Sequence, residues 1–569
     1  MAFQLSPGVE FSEIDLTTII PGVGTTEGAF AGDFAWGPAD TIVTISNEIE
    51  LVNTFWKPTA NNFRSFFSAA NFLSYARNLK VVRAIDGSKA KNASNGSVTL
   101  LIKNQAEYEL TYLDQSAANA AGMFAARYPG VLGNSLKISM WTGANNNSWS
   151  TWPYKENFNS EPGSSVWASG VGGANDELHL IVVDSNGKFT GVSNTILEVF
   201  PYVSKAYDAK NDDGTSNYYV NTINEKSKYI YVINPAQRAN DQVSDTTTWG
   251  NTGTSTTFAE GSSEYTVTLS GGVDGWANTG NLTLAYDKFA NAEEVDVSLI
   301  ITGASPQVVC ESALENIAGA RRDCVAFVSP EQDDVVNNAG DEVTDILTHR
   351  NTFNSTSYGV MDCNWKYQFD KYNNLYRWIP CNPDVAGLCV RTDFERDPWY
   401  SPAGFNRGHI KNVVKLAWNP TKANRDDLYK NGVNPIVSFP GEGVVLYGDK
   451  TMLTKPSAFD RINVRRLFIV LEKAITRAAR YSLFEFNDEF TRAQFVALVE
   501  PFLRDVQGRR GIFDFRVVCD TTNNTPEVID RNEFIGDIYI KPARSINFIQ
   551  LNFVAVRTGV AFEEIVGKF

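Results

Sequence analysis

The sequence predicts a mixed α/β, multidomain protein of the α+β kind, and three observations carry that expectation. Apolar runs of strand length alternate with amphipathic helical stretches over residues 25–86 and again over 300–350. Between them, residues 88 to about 300 are rich in Asn, Ser, Thr and Gly, with short strand-like runs set among turn signals. From residue 350 onward, strand-like runs, the strongest helix and further strands read as one continuous domain. At 569 residues the chain has room for two or more domains of roughly 100–200 residues each.

The first twenty residues read as extended. Pro7 and Gly8 discourage a helix, and Val9 and Phe11 alternate with Glu10 and Ser12 before a break at Pro21–Gly22. GAFAGDFAWGPAD then gives a short apolar strand and a Gly-Pro turn, EIELVNTFW and NNFRSFFSAANFLSYARN two helices, and LKVVRAI a buried strand. The second helix places Phe63, Phe66, Phe67, Ala70 and Leu73 on one face. SVTLLIK, SLKISMW, ELHLIVVD and YIYVIN are strand-like runs of the polar middle region.

SLIITGA and CVAFVSP are strands around a helical SALENIAGARR, and DDVVNNAGDEVTDILTHRN reads as one more helix. MDCNWKYQFDKYNNLYRWIP is strand-like. The strongest helix runs from Asp460 through Ser482, and another covers Thr491–Val506 with Pro501 as a kink or break. GIFDFRVVCD, FIGDIYIKPA and SINFIQLNFVAV are three strands. Val560, Phe562, Glu564 and Val566 alternate in a last one.

Hydrophobic residues make up 43% of the chain and charged residues 20%, the balance of a folded protein. The net charge of −15 argues against direct nucleic-acid binding, which needs a basic footprint. The start, MAFQLSPGVEFSEID, has neither a basic n-region nor an apolar h-region, so no signal peptide is expected. The longest aliphatic runs, such as Leu467–Leu471, fall far short of the ~20 residues of a membrane span, so no membrane insertion is expected. Cys310, Cys324, Cys363, Cys381, Cys389 and Cys519 lack metal-binding spacing and read as buried thiols of a cytoplasmic protein.

Catalytic signals do not accumulate. His179, His349 and His409 are far apart in sequence, and GxxxxGK[ST], GxSxG, HExxH and GxGxxG patterns do not occur. Carboxylate pairs such as Asp333–Asp334 and Glu563–Glu564 read as solvated faces. The expectation is a protein that is not an enzyme, with no catalytic residues, no cofactor and no metal. One local feature stands out. Arg461–Arg480 holds six basic residues and one acidic residue, and a 100° step puts Arg466, Lys473, Arg477 and Arg480 on one stripe beside apolar Leu467, Leu471, Ala474, Ile475 and Ala478.

Ordered blocks along the whole chain resemble contractile-tail sheath proteins: SPGVEFSEID, GAFAGDFAWGPAD, EIELVNTFWKP, LKVVRAIDG, ARYPGVLGNSLKI, AGLCVRTDFERDPWYSPAGFNRGHI, LYKNGVNPIVSFPGEGVVLYGDKTM, INVRRLFIVLEKAI and FEFND. The amino-terminal block is similar to the sheath of T-even-type phages in particular, and the resemblance thins between about 140 and 300. It implies a subunit, assembled in the host cytoplasm, that stacks helically as hexameric rings around a tail tube protein in the virion tail. The stack contracts to drive the tube through the host envelope, with baseplate and tail terminator proteins as further partners. The sheath of a tailocin-like injection device fits nearly as well. A cytoplasmic hydrolase without a recognisable motif is the alternative from another class, and the missing nucleophile–base–orienter set argues against it.

The resemblance also implies an organisation. An amino-terminal arm (1–22) and a carboxy-terminal arm (558–569) would donate strands to neighbouring subunits through Val9, Glu10 and Phe11 and through Val560, Phe562 and Glu564. FIGDIYIKPA and SINFIQLNFVAV would be the acceptors. A middle and outer domain (23–345), with a β-rich insertion at about 140–300, would precede an inner α/β sheath domain (346–557). Arg466, Lys473, Arg477 and Arg480 would face the tube.

Overall fold

The structure, a computed structural model, describes residues 24–112, 122–143, 148–235, 247–261, 264–547 and 550. Gly22–Pro398 with Pro402–Ala474 forms one compact unit, and Trp399–Ser401 with the residues from Ile475 onward forms a second.

The larger unit opens with β1 (Gly28–Gly32), β2 (Ile42–Ile45), α1 (Glu48–Phe55), α2 (Phe63–Leu73) and β3 (Leu79–Arg83). The polar middle region adds α3 (Gln105–Thr111), β4 (Phe124–Ala126), β5 (Leu136–Trp141), α4 (Val166–Gly170), β6 (Glu177–Asp184), β7 (Thr195–Ser204), α5 (Tyr219–Lys226), β8 (Ile230–Val232) and β9 (Tyr265–Thr268). There follow α6 (Thr279–Asp287), β10 (Leu299–Ile301), α7 (Gln307–Ser312), β11 (Val325–Val328), α8 (Gln332–Val335), α9 (Glu342–Thr352), β12 (Gly359–Asp362), β13 (Trp365–Asp370) and β14 (Leu375–Pro380). Last come α10 (Asn382–Glu395), β15 (Lys415–Leu416), α11 (Lys422–Lys430), β16 (Val433–Asn434), β17 (Ile436–Phe439), β18 (Gly443–Leu446) and α12 (Ile462–Ala479), whose residues from Ile475 belong to the second unit. The second unit also holds α13 (Glu489–Gly508), β19 (Ile512–Val518), α14 (Pro526–Asp530) and β20 (Asp537–Pro542).

The main sheet runs β16-β12-β11-β10-β1-β3-β2, parallel throughout except for β2 against β3. Strands covered on both faces must be apolar on both, which is why GAFAG, LII and VAFV lack alternation. Helix α2 lays Phe66, Phe67, Phe72 and Leu73 into this core. The fit is tight at Gly28, where a Cβ would come within 2.5 Å of the Phe72 ring.

The middle region builds an antiparallel sheet, β7-β6-β5-β9, and the pair β4–β8 around a separate core that includes Phe124, Ile138, Met140 and Leu180. The buried guanidinium of Arg83 at the end of β3 joins this region to the main sheet. It donates to the carbonyls of Phe34, Gly37 and Pro129 at 2.7–2.9 Å.

β12 and β16, from beyond residue 345, pair into the same sheet as β1, β10 and β11. Several expectations are corrected. SVTLLIK is not a strand. The backbone of Ile102 bonds instead to the side chain of Asn92, whose amide both accepts from and donates to it. The single helix expected over DDVVNNAGDEVTDILTHRN is two, α8 and α9, separated where Asn337 (φ 61°) and Gly340 (φ 105°) turn left-handed. Helix α13 runs unbroken through Pro501. Strands β4, β7 and β9 were not among the strand-like runs. In the second unit, Phe495, Val499, Leu503 and Val506 of α13 form the buried face behind β19.

Candidate functional site

The basic stripe of α12 divides along its length. Arg466 is buried, its Nη1 donating to Asp393 Oδ1 at 2.7 Å and its Nη2 to Asp393 Oδ2 at 2.5 Å. Burial lowers its pKa, but the Asp393 carboxylate, with a smaller contribution from Cys389, more than offsets that and raises it. Lys473 donates to Asp296 Oδ1 at 2.9 Å and to the Val297 carbonyl at 2.8 Å, with Asp323 at 3.7 Å. Arg461 and Arg465 are engaged too. Arg461 lies 3.7 Å from Asp449, and the Arg465 guanidinium sits 4.0 Å from the Phe459 ring centroid and 4.4 Å from that of Tyr358. Arg477 and Arg480 are exposed.

Arg466 and Lys473 are thus ion-paired inside the larger unit, and Arg477 and Arg480 are the members of the stripe that are exposed. Sequence reading missed this, since Asp393 and Asp296 lie far from α12 along the chain.

These same side chains grip the beginning of the described chain. The Thr25 hydroxyl donates to Asp393 Oδ2 at 2.7 Å, and Arg466 Nη2 reaches the Thr25 carbonyl at 3.4 Å. Ser298 Oγ donates to the Gly24 carbonyl at 3.0 Å, and Lys80 Nζ to Glu27 Oε2 at 2.5 Å. Residues 24–27 are thus anchored on β10, α10 and α12, directly after the segment expected to be an arm.

A buried polar set lies at the carboxyl ends of the main sheet. Doubly wound sheets bind ligands beyond the carboxyl ends of their strands where the strand order reverses, here between β1 and β10. Asn382 at the start of α10 bonds the backbone and side chains just past the carboxyl ends of β10 and β11. Its Oδ1 accepts from Gly303 N at 2.9 Å, and its Nδ2 donates to the Gly303 carbonyl at 2.8 Å and to Ser329 Oγ at 3.0 Å. Ser329 in turn donates to Asp362 Oδ2 at 2.6 Å, and burial pushes the Asp362 carboxyl up to about 7.

A second polar set, unforeseen from sequence, joins Lys366, Asp384 and Tyr75. Lys366 Nζ and the Tyr75 hydroxyl donate to Asp384 Oδ1 at 2.9 and 3.1 Å. Both members of the Lys366–Asp384 pair are 0% exposed, so these residue types serve packing and have no solvent access. The histidines hold separate posts: His179 stacks on Phe158, His349 packs edge-on against Phe353, and His409 bridges to Val445. All six cysteines are buried free thiols.

The second unit offers a different surface. β19 and β20 pair antiparallel, and among the described residues neither has another strand beside it. Phe513 and Tyr539 on these strands are exposed, as are Tyr481, Leu483, Phe484 and Phe486 between α12 and α13 and Phe490 in the first turn of α13. Phe484 is fully exposed and has φ 70°, a conformation costly for a bulky side chain.

Across 99% of its length the chain is 36% identical to the tail sheath protein of Enterobacteria phage T4, of which the match covers 99%. The chain belongs to the tail sheath protein family. The tail sheath protein of Vibrio phage KVP40 is 35% identical over 99% of this chain and 100% of that protein. The phage tail sheath protein central domain matches residues 276–452, and the phage tail sheath C-terminal domain matches 454–555. The solved sheath tail protein from Listeria innocua shares the fold, with a TM-score of 0.52 at 12% identity over 92% of this chain and 96% of that one.

For this sheath protein the anchored residues 24–27, the exposed end of α12 and the β19–β20 pair are the candidate assembly elements. The arm residues Val9, Glu10, Phe11, Val560, Phe562 and Glu564 lie outside the described residues, as does most of SINFIQLNFVAV; FIGDIYIKPA contains β20.

Proposed function

We propose that the chain polymerises helically around a tail tube as stacked hexameric rings, and that the polymer contracts to drive the tube through the host envelope. As a tail sheath protein it is a structural subunit of a contractile virion tail and not an enzyme. The full-length identity to the T4 tail sheath protein carries this reading.

In the proposed mechanism the arms at 1–22 and 558–569 join neighbouring subunits by adding strands beside β19 and β20. An unpaired strand edge is a template whose N–H and C=O groups a donated strand satisfies. The two arms meet different surfaces, so the contacts are heterologous and propagate along a helix. The cluster around Asp393 and Arg466 supports the mechanism by fixing the root of the first arm while subunits rotate. Exposed Arg477 and Arg480 are the remaining candidates to face the tube protein, and baseplate and tail terminator proteins are the partners proposed for the ends of the stack. Contraction draws on new subunit contact, so a nucleotide site is not required.

Electron microscopy of the purified chain beside a version lacking residues 1–20 tests the proposal. Hollow helical tubes from the intact chain, lost on truncation while circular dichroism stays unchanged, are expected. Discrete particles from both, even with tube protein added, would overturn it.

A further inference from the structure

Beyond Trp365, which is buried, strand β13 is turned inside out. In WKYQFD the polar residues Lys366, Gln368 and Asp370 are buried, while Phe369 is 43% exposed. A half-buried strand ordinarily does the reverse. The register is fixed by unbroken pairing from Trp365↔Pro380 to Asp370↔Leu375, so no slip returns the rings to the interior. The inward face is locked by its partners. Lys366 meets Asp384, and Asp370 accepts from the backbone of Tyr372 and Asn373 and lies 3.6 Å from Arg377.

The outward face is correspondingly aromatic. Tyr367 stands opposite Trp378 and Phe369 opposite Tyr376, the latter 48% exposed. Ring centroids of the pairs are 4.7 and 5.2 Å apart, and Tyr367 and Tyr376 join the rows at 5.5 Å. Lys415 of β15, opposite Tyr367, holds its ammonium 5.1 Å from that ring and 5.5 Å from Trp378, with no ion pair among the described residues. The result is a four-ring platform carrying an exposed cation.

We propose that this platform is a contact surface for a second copy of the same chain, taking apolar side chains flanked by carboxylates. Aromatic residues with a central cation are the composition of interface anchors. Charge complementarity selects the partner. With 65 acidic and 50 basic residues, every further copy carries a net charge of −15, the sign that Lys415 favours. The proposal rests on the sheath reading.

The test places a photo-crosslinking benzoylphenylalanine at Tyr376 of the full chain, irradiates assembled tubes, and maps the linked peptides. In parallel, F369S/Y376S and K415E are compared with the unmodified chain for unfolding midpoint and for the concentration at which tubes appear. Crosslinks between copies are expected, together with unchanged midpoints and a threshold at least about tenfold higher for the double variant. For K415E the shift should shrink as salt is added. Crosslinks landing on tube protein, no intersubunit crosslink in well-formed tubes, or thresholds equal to wild type would overturn the platform and leave the sheath reading standing. An unmodified chain that never forms tubes would overturn the sheath reading, and the platform with it.

Discussion

In the larger unit a mostly parallel sheet is covered on both faces, the buried cations Arg83, Lys366 and Arg466 are bonded internally, and Asn382 bonds Gly303 beyond the end of β10. From Ile475 onward a two-stranded sheet leans on one helix, and a run of aromatic residues stays in solvent. The first region holds its fold by contacts within itself. Among the described residues the second leaves the outer edges of its two-stranded sheet unpaired. Under the proposed function the first would be the body that is moved and the second the surface that does the joining. Substitutions that affect one property and spare the other can test this division.

The largest effect expected is on folding. Asp393→Ala leaves the buried Arg466 guanidinium unpaired, which should cost about 3–5 kcal/mol and loosen residues 24–27 with it. Chemical denaturation should show the loss, and hydrogen exchange should show faster amide exchange at residues 24–27. A variant as stable as wild type would mean that Arg466 finds solvent and that the arm root is not anchored as described.

What the sequence made legible follows the same division. β1, β10 and β11 were readable because buried parallel strands are continuous apolar runs, and α2 because its phenylalanines recur at helical spacing. Membership of β12 and β16 in the same sheet was not, since parallel pairing is non-local and leaves no trace in the spacing of residues. The stripe on α12 was legible as geometry and misleading as chemistry. Period and sign say where a cation points, while a carboxylate 73 residues away decides whether it is already paired. For β13 the alternation was visible, but alternation alone does not say which face is inside.

Next in size is Asn382→Ala, which strands the Gly303 N–H. A loss of about 1–3 kcal/mol is expected, read from urea unfolding, with tube formation retained once the temperature is lowered. Loss of tubes from a folded variant would tie this contact to assembly.

A different effect comes from pH. The buried Asp362 carboxyl keeps its proton to about pH 7 in the folded chain, whereas an unfolded aspartate gives it up near 3.8. The folded state therefore binds more protons between these values. The stability it contributes is complete below about 3.8 and is lost as pH rises through about 7. Thermal unfolding midpoints of wild type should carry this downward component between the two values, and Asp362→Asn should flatten it. An unchanged slope would assign the component to other groups.

The smallest effect on folding is the sharpest test of the comparison. Phe484 is fully exposed with φ 70°, so within the subunit its side chain contributes strain and little packing. Phe484→Gly removes the strained Cβ and should leave thermal stability unchanged or raise it by up to about 1 kcal/mol. If this region exists to be covered by neighbours, the same change should raise the concentration needed for tubes. Folding and assembly then move in opposite directions, as no loss of fold could produce. Destabilisation by Phe484→Gly would instead mean that the ring already packs within its own subunit, and the division between the two regions would fail at its most exposed residue.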